Sequence, residues 1–320
     1  PGFILSIAMV GLLVYTVIEG PHRGWLSATT LVSFAATAAL FAIFVRYELA
    51  AKEPLLDVRV FRNARVSAAT GSIGIAFFVL FGFIFLVTQY FQFVRGYSTL
   101  SSGIHTLPFA FGAGVTAPIA ARLALKFGSK RVVAVGLTNM SIGLTVMGFS
   151  GADAAYWGPI VIGMLFLASG LGLVTSPSTD AVMGSLPREK AGVGSAVNDI
   201  SREVGGTLGV AVVGSVFVSL YTPQLMRSFE KIPGLIDGLN KTNPELYPMA
   251  QDSVGAAFAI SQQTPAGLQP LVINAVSDSF VHGFQASSLV GAGMALVGAI
   301  FALKFLPARP TADDSSTILH

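Results

Sequence analysis

Between positions 198 and 203, Asn198, Asp199, Arg202 and Glu203 crowd together, and the 23 residues from Val204 to Met226 then carry no formal charge. A soluble amphipathic helix spreads its charges along one face at every turn. A segment that is polar first and apolar all round afterwards reads as a helix that starts in water and enters lipid. The alternation runs along the whole chain. The intervals 1–18, 24–45, 66–94, 96–121, 132–152, 154–179, 204–226 and 279–303 hold no Asp, Glu, Lys or Arg. Each is close to the ~20 residues that cross ~30 Å of hydrocarbon at ~1.5 Å per residue. The pattern predicts an all-α, polytopic membrane bundle with one transmembrane helix per interval.

One long stretch, 222–277, is expected not to span. It carries Pro223, Pro233, Pro244, Pro248, Pro265 and Pro270 and scattered charge. A short surface helix over Leu246 to Ile260 is expected there, lying at the interface. Residues 307–320 read as a polar tail.

Composition agrees with lipid as the solvent. The chain is 53% hydrophobic and 11% charged, with mean hydropathy +0.71, where soluble domains carry about 25% charge. It has no cysteine, which excludes a disulfide framework and thiolate metal sites. The net charge of +3 comes without a basic stripe interleaved with aromatics, so no nucleic-acid partner is expected. The first span lacks a basic n-region and a small-residue cleavage site, so it is not read as a signal peptide. The start at Pro1 leads to the expectation of a piece of a longer chain.

Lysine and arginine orient the spans. With both ends in the cytoplasm, the inner segments hold Arg46, Lys52, Arg59, Arg62, Arg65, Arg122, Lys126, Lys130, Arg131, Arg188, Lys190, Arg202, Lys304 and Arg309. The short outer loops hold Arg23 and Arg95 alone, in keeping with the positive-inside rule. Trp25 and Trp157 fall where helices begin at the outer interface, as an aromatic belt requires. A plasma (inner) membrane location with cytoplasmic termini is the expectation.

Several polar residues are candidates for function. Asp180 and Arg202 lie at about equal depth on adjacent helices, and ionisable groups at that depth need pairing or hydration. They are read as a static ion pair or as a cytoplasmic gate that also takes in Asn198 and Glu203. Gly205 and Gly209 form a GxxxG step, read as close packing or as a sliding surface. Gln89 and Gln92 are three apart beside Tyr90, a pattern for a cavity that takes amphipathic ligands or for plain interfacial polarity. His105 could titrate near neutral pH or be a satisfied structural group. Pro108 and Pro118 in the fourth span, and Pro159 and Pro177 in the sixth, are expected to break those helices locally. No nucleophile elbow, zinc-protease motif, P-loop or dinucleotide fingerprint appears, and no acid or histidine cluster sits within a span. Neither an enzyme, a metal site nor a cofactor is expected.

"ARLALKFGSKR", from Ala121 to Arg131, resembles the cytoplasmic loop motif of the major facilitator superfamily. Lys126, Gly128, Lys130 and Arg131 match, Arg122 lies in the same loop, and Ala121 and Leu125 replace the first glycine and the aspartate. "EGPHRGW", "EPLLDVRVFRN", "YFQFVRGYSTLSSGIHTLPF" and "GVGSAVNDISREVGGTLGVAVVG" are similar, in order, to the fourteen-span drug:proton antiporters of the EmrB/QacA type. The resemblance implies an inserted helix pair over 1–50, a cytoplasmic linker over 51–65 and the C-terminal six-helix bundle over 66–306. It also implies an absent N-terminal six-helix bundle as partner, and protons and small hydrophobic compounds as cargo. In such bundles the first, second, fourth and fifth helices line the cavity, which favours Gln89, Gln92, His105, Asp180, Asn198 and Arg202. An exporter of a lipid or siderophore, and a non-transporting membrane scaffold, stand as alternatives.

Overall fold

Helices begin where the sequence supplies a cap. In the computed structural model, which describes residues 1–52, 54–187 and 190–307, Ser27, Asn63, Ser98 and Ser253 each accept a hydrogen bond from a backbone N–H two or three residues on. Each cap satisfies a donor that the first helical turn leaves without an intrahelical partner. The helices are α1 (Gly2–Arg23), α2 (Ala28–Ala50), α3 (Ala64–Gln89), α4 (Thr99–His105), α5 (Leu107–Phe127) and α6 (Ser129–Gly148). They continue with α7 (Val161–Met183), α8 (Ala191–Glu230), α9 (Leu235–Thr242), α10 (Leu246–Asp252), α11 (Val254–Gln263) and α12 (Gln269–Phe305). A short 3₁₀ turn, Val58–Arg62, lies in the linker before α3. Wide π-helical turns extend α3 over Tyr90–Val94 and lead into α7 over Tyr156–Ile160. Among the described residues, eight helical stretches are long and apolar enough to cross a membrane, and each overlaps one of the eight intervals named above. Arg188, Arg309 and the expected tail from 308 on lie outside the described residues.

The loop between the last two spans is shorter than its prolines imply. Helix α8 runs through Pro223 to Glu230 and α12 starts at Gln269, so the segment between them is 231–268 and not 222–277. Tertiary packing extends α8: Leu225 and Phe229 are fully buried, and the Thr222 hydroxyl donates to the Gln251 carbonyl at 2.5 Å. The expected surface helix is interrupted at Ser253, which leaves α10 and caps α11. We call this end of the bundle the loop side. The linker side, opposite, carries the α2–α3, α5–α6 and α7–α8 connections.

Lipid removes the hydrophobic drive between helices, so close backbone approach must hold them together. Helix α8 lies directly on α3: a β-carbon at Gly205 or Gly209 would overlap the carbonyls of Gly74 and Phe78. Helices α6 and α7 meet the same way, Gly136 against Gly170 and Gly143 against Gly163. Helix α12 closes the bundle against α3, α6 and α8. The α1–α2 hairpin attaches through α1 to α8, where the Ser215 hydroxyl donates to the Val17 carbonyl at 2.5 Å. Helix α5 differs from the other helices of the bundle. The apolar window of the α4–α5 span is 6% buried where that of α3 is 61%, because α5 packs chiefly on α7 and leaves the rest of its surface open.

Candidate functional site

The linker-side polar residues of α7 and α8 divide into two groups because of helical geometry. Successive residues turn by about 100°, so Asn198 and Arg202 form one row on α8, and Asp199 and Glu203 form the next. Along the first row, Asn198 is buried and its Oδ1 accepts from the Thr179 hydroxyl at 3.3 Å. Arg202 Nη2 donates to the Thr179 oxygen across a long 3.5 Å. The guanidinium carbon lies 5.2 Å from the centre of the Phe77 ring, a cation–π geometry. Arg202 Nε is buried with no hydrogen-bond partner. This corner joins α3, α7 and α8.

Asp180 is next to Thr179 but turns away from this corner. It is exposed and forms no ion pair among the described residues, where the pairs present are His22–Asp252, Arg23–Glu19 and Lys190–Asp57. The pair expected between Asp180 and Arg202 is therefore not made in this structure. Thr179, one step of the helix earlier, occupies the position facing α8. Glu203 is likewise exposed and lies in the second row, against a cleft that also reaches α1 and α2. The sequence grouped Glu203 with Arg202; the helix separates them. Thr179 and Phe77 were missed because a lone threonine and one phenylalanine among many carry no sequence signal.

The loop-side candidates separate as well. Tyr90 is 1% exposed and belongs to the core, not to a cavity. Its ring packs near those of Phe91, Phe280 and Phe284. Its hydroxyl donates to the Gly151 carbonyl at 3.0 Å, and Arg95 Nη1 donates to the next carbonyl, of Ala152, at 2.9 Å. Together they fasten the α6–α7 connection. Gln89 is half-buried and donates back to the Phe85 carbonyl at 3.5 Å. The wide turn starts directly after Gln89, so the 3.6-residue spacing that would align it with half-buried Gln92 does not hold.

His105 sits in an aromatic cluster. Its ring centre is 4.3 Å from that of Tyr97 and 4.6 Å from that of Tyr156, with Phe91 at 6.1 Å. Nδ1 is 2.7 Å from the Ser101 carbonyl oxygen; a carbonyl only accepts, so Nδ1 carries the hydrogen. The cluster forms where two spans are interrupted. Pro108 stands at the start of α5, and Pro159 follows Gly158, whose backbone (φ −100°, ψ −118°) is not helical. Pro118 and Pro177, by contrast, are carried inside α5 and α7.

The linker-side loop motif turns on one residue. Gly128 alone separates α5 from α6, at φ 85° and ψ 145°, a region that residues with a β-carbon rarely enter. Arg122, Lys126 and Arg131 are exposed and Lys130 half-exposed. No acidic partner within ion-pair distance is found for any of them among the described residues. No group of three or more His, Cys, Asp or Glu that could hold a metal occurs among the described residues.

Residues 2–210 match the family model described as Major Facilitator Superfamily. The chain is 33% identical over 230 residues to multidrug resistance protein Stp of Mycobacterium tuberculosis, covering 72% of this chain and 42% of that protein. It is 31% identical over 317 residues to the tetracenomycin C resistance and export protein of Streptomyces glaucescens, covering 97% and 56%. It is 27% identical over 296 residues to the multidrug efflux pump LfrA of Mycolicibacterium smegmatis, covering 92% and 56%. The chain spans about half the length of these curated relatives.

Proposed function

Because the chain belongs to the Major Facilitator Superfamily, a superfamily of membrane transporters and not of enzymes, we propose that it is the C-terminal part of a fourteen-span exporter. On this reading the exporter expels hydrophobic or amphipathic compounds in exchange for protons. Helices α1 and α2 are the inserted pair, α3 to α8 with α12 form the C-terminal bundle, and both ends lie in the cytoplasm. The single observation that carries the reading is the open surface of α5, which packs chiefly on α7 and is left uncovered elsewhere. The printed names of the relatives, two for multidrug resistance or efflux and one for resistance and export, support the same reading.

In this proposal a second six-helix bundle faces α5, and the two rock about the path between them. The linker-side corner acts as the cytoplasmic gate, with Asp180 and Arg202 parted in the present conformation and Asn198 holding Thr179 against α8. Gln89 and Gln92 approach the path from the outer end of α3. His105 flanks it within the aromatic cluster, while Tyr90 braces the outer loop from the core. No acid lies near mid-membrane in the bundle's spans, so the coupling proton is carried elsewhere in the whole protein.

The test is the full-length protein in proteoliposomes with an imposed pH gradient. Uphill movement of a lipophilic dye, together with substrate-dependent proton flux, is the expected result. Dye movement without proton flux would remove the antiport mechanism and leave an exporter. Movement of neither would favour a scaffold.

A further inference from the structure

We propose that the linker before α3 is a strap that locks the α1–α2 hairpin to the start of α8, so that hairpin and bundle move as one body. The hairpin meets α8 directly through α1, where the Ser215 hydroxyl bonds the Val17 carbonyl. Val197 lies about 27 Å nearer the start of α8, at ~1.5 Å per residue. Between these levels the helices do not close on one another. Helices α1, α2 and α8 line a cleft of about 1080 Å³, together with the linker residues Leu55, Val58 and Phe61. Helix α2 packs on α1 and on the linker turn Val58–Arg62. At its linker end, the hairpin therefore depends on the linker to reach α8.

The linker is bound on both sides. Toward the hairpin, Glu48, buried near the end of α2, accepts from the Leu56 N–H at 3.0 Å. Arg59 Nη2 donates at 2.7 Å to the Leu49 carbonyl, which the end of α2 leaves without an intrahelical partner. Toward the bundle, Val60 is buried with Val66 of α3 and Val197 of α8, and Leu56, Leu186 and Val193 pack against them. These side chains form a small core of their own, apart from the main one. Asp57 Oδ2 lies 3.3 Å from Nζ of Lys190, at the α7–α8 connection. The lysine is half-exposed, so the pair is weak by itself; it fixes the register of the strap while apolar burial supplies the hold. On the export reading, the hairpin then travels with this bundle when two bundles rock. The coupling itself rests on the fold alone.

Electron–electron double resonance on the full-length protein tests it, with spin labels at exposed Arg46 on α2 and exposed Ala191 at the start of α8. One narrow distance is expected in the parent. Val60→Asp puts a charge into the small core and should replace that distance with a broad distribution. Amide hydrogen exchange over 54–63 should become about tenfold faster, the effect of losing one buried valine. The thermal midpoint of the bundle should stay, because the small core is separate from the main one. Lys190→Glu meets Asp57 with a like charge and should also broaden the distance, whereas Lys190→Arg keeps the pair and the narrow distance. If Val60→Asp unfolds the bundle, the two Lys190 variants decide alone. An unchanged narrow distance in Val60→Asp and Lys190→Glu, despite faster exchange in the linker, would overturn the proposal, because the α1–α8 seam would then hold the hairpin unaided. A broad distribution in the parent would overturn it as well.

Discussion

The Tyr156 hydroxyl donates to the backbone carbonyl of His105 at 2.9 Å, while the two side-chain rings meet edge to face at 4.6 Å. The bond exists because the helix is broken there. Pro108 has no N–H to donate, and the Phe109 N–H bonds three residues back to Thr106 at 3.1 Å. The His105 carbonyl is left for the tyrosine. Two interrupted spans, α4–α5 and the turn into α7, are thereby joined. Tyr156→Phe should keep the ring contact and orphan the carbonyl, at about 1–3 kcal/mol. Faster amide hydrogen exchange over 99–109 is the expected readout. Unchanged protection would mean that the rings, and not the hydroxyl, hold the junction.

The α3–α8 seam makes a graded prediction. Gly209→Ala places a methyl group against the Phe78 carbonyl, where the backbone must move, and should lower stability by about 1–3 kcal/mol. Gly214→Ala, on the same helix, meets only the Phe85 ring at an ordinary 3.5 Å and should change stability by less than ~0.5 kcal/mol. Thermal unfolding of the detergent-solubilised variants compares them directly. Equal effects would refute the seam as a close backbone contact.

Gly128 tests the loop motif in the same way. Alanine at φ 85° and ψ 145° is strained by about 1–3 kcal/mol, whatever space surrounds it. A lower unfolding midpoint for Gly128→Ala is expected, with Lys126→Ala, whose exposed side chain lies over the neighbouring Phe127 ring, close to the parent. A neutral result at Gly128 would show that the turn can reach another backbone conformation.

At the linker-side corner, stability and transport should separate. Asp180 is exposed and unpaired among the described residues, so Asp180→Asn should leave stability within ~0.5 kcal/mol and membrane insertion intact. If the gate reading is right, efflux by the full-length protein should nevertheless fall. Arg202→Ala, which also removes the contact with Phe77, should reduce efflux and lower stability by roughly 0.5–1 kcal/mol. Normal efflux from Asp180→Asn would remove that residue from the gate.

What the chain alone determined was decided by the solvent. Lipid tolerates few charges, so eight charge-free intervals of the right length located the spans. Gly128 was legible through the loop motif that it matches. Tertiary structure decided what depends on neighbours. Packing of Leu225 and Phe229 against the loop-side helices carried α8 past Pro223 to Glu230. A wide turn after Gln89 broke the register with Gln92, and the core took Tyr90. Asp180 and Arg202 lie at matching depth in the sequence, but depth is one coordinate and azimuth is another. The rotation of α7 against α8, set by contacts over the whole bundle, brings Thr179 to Arg202 and leaves Asp180 outside.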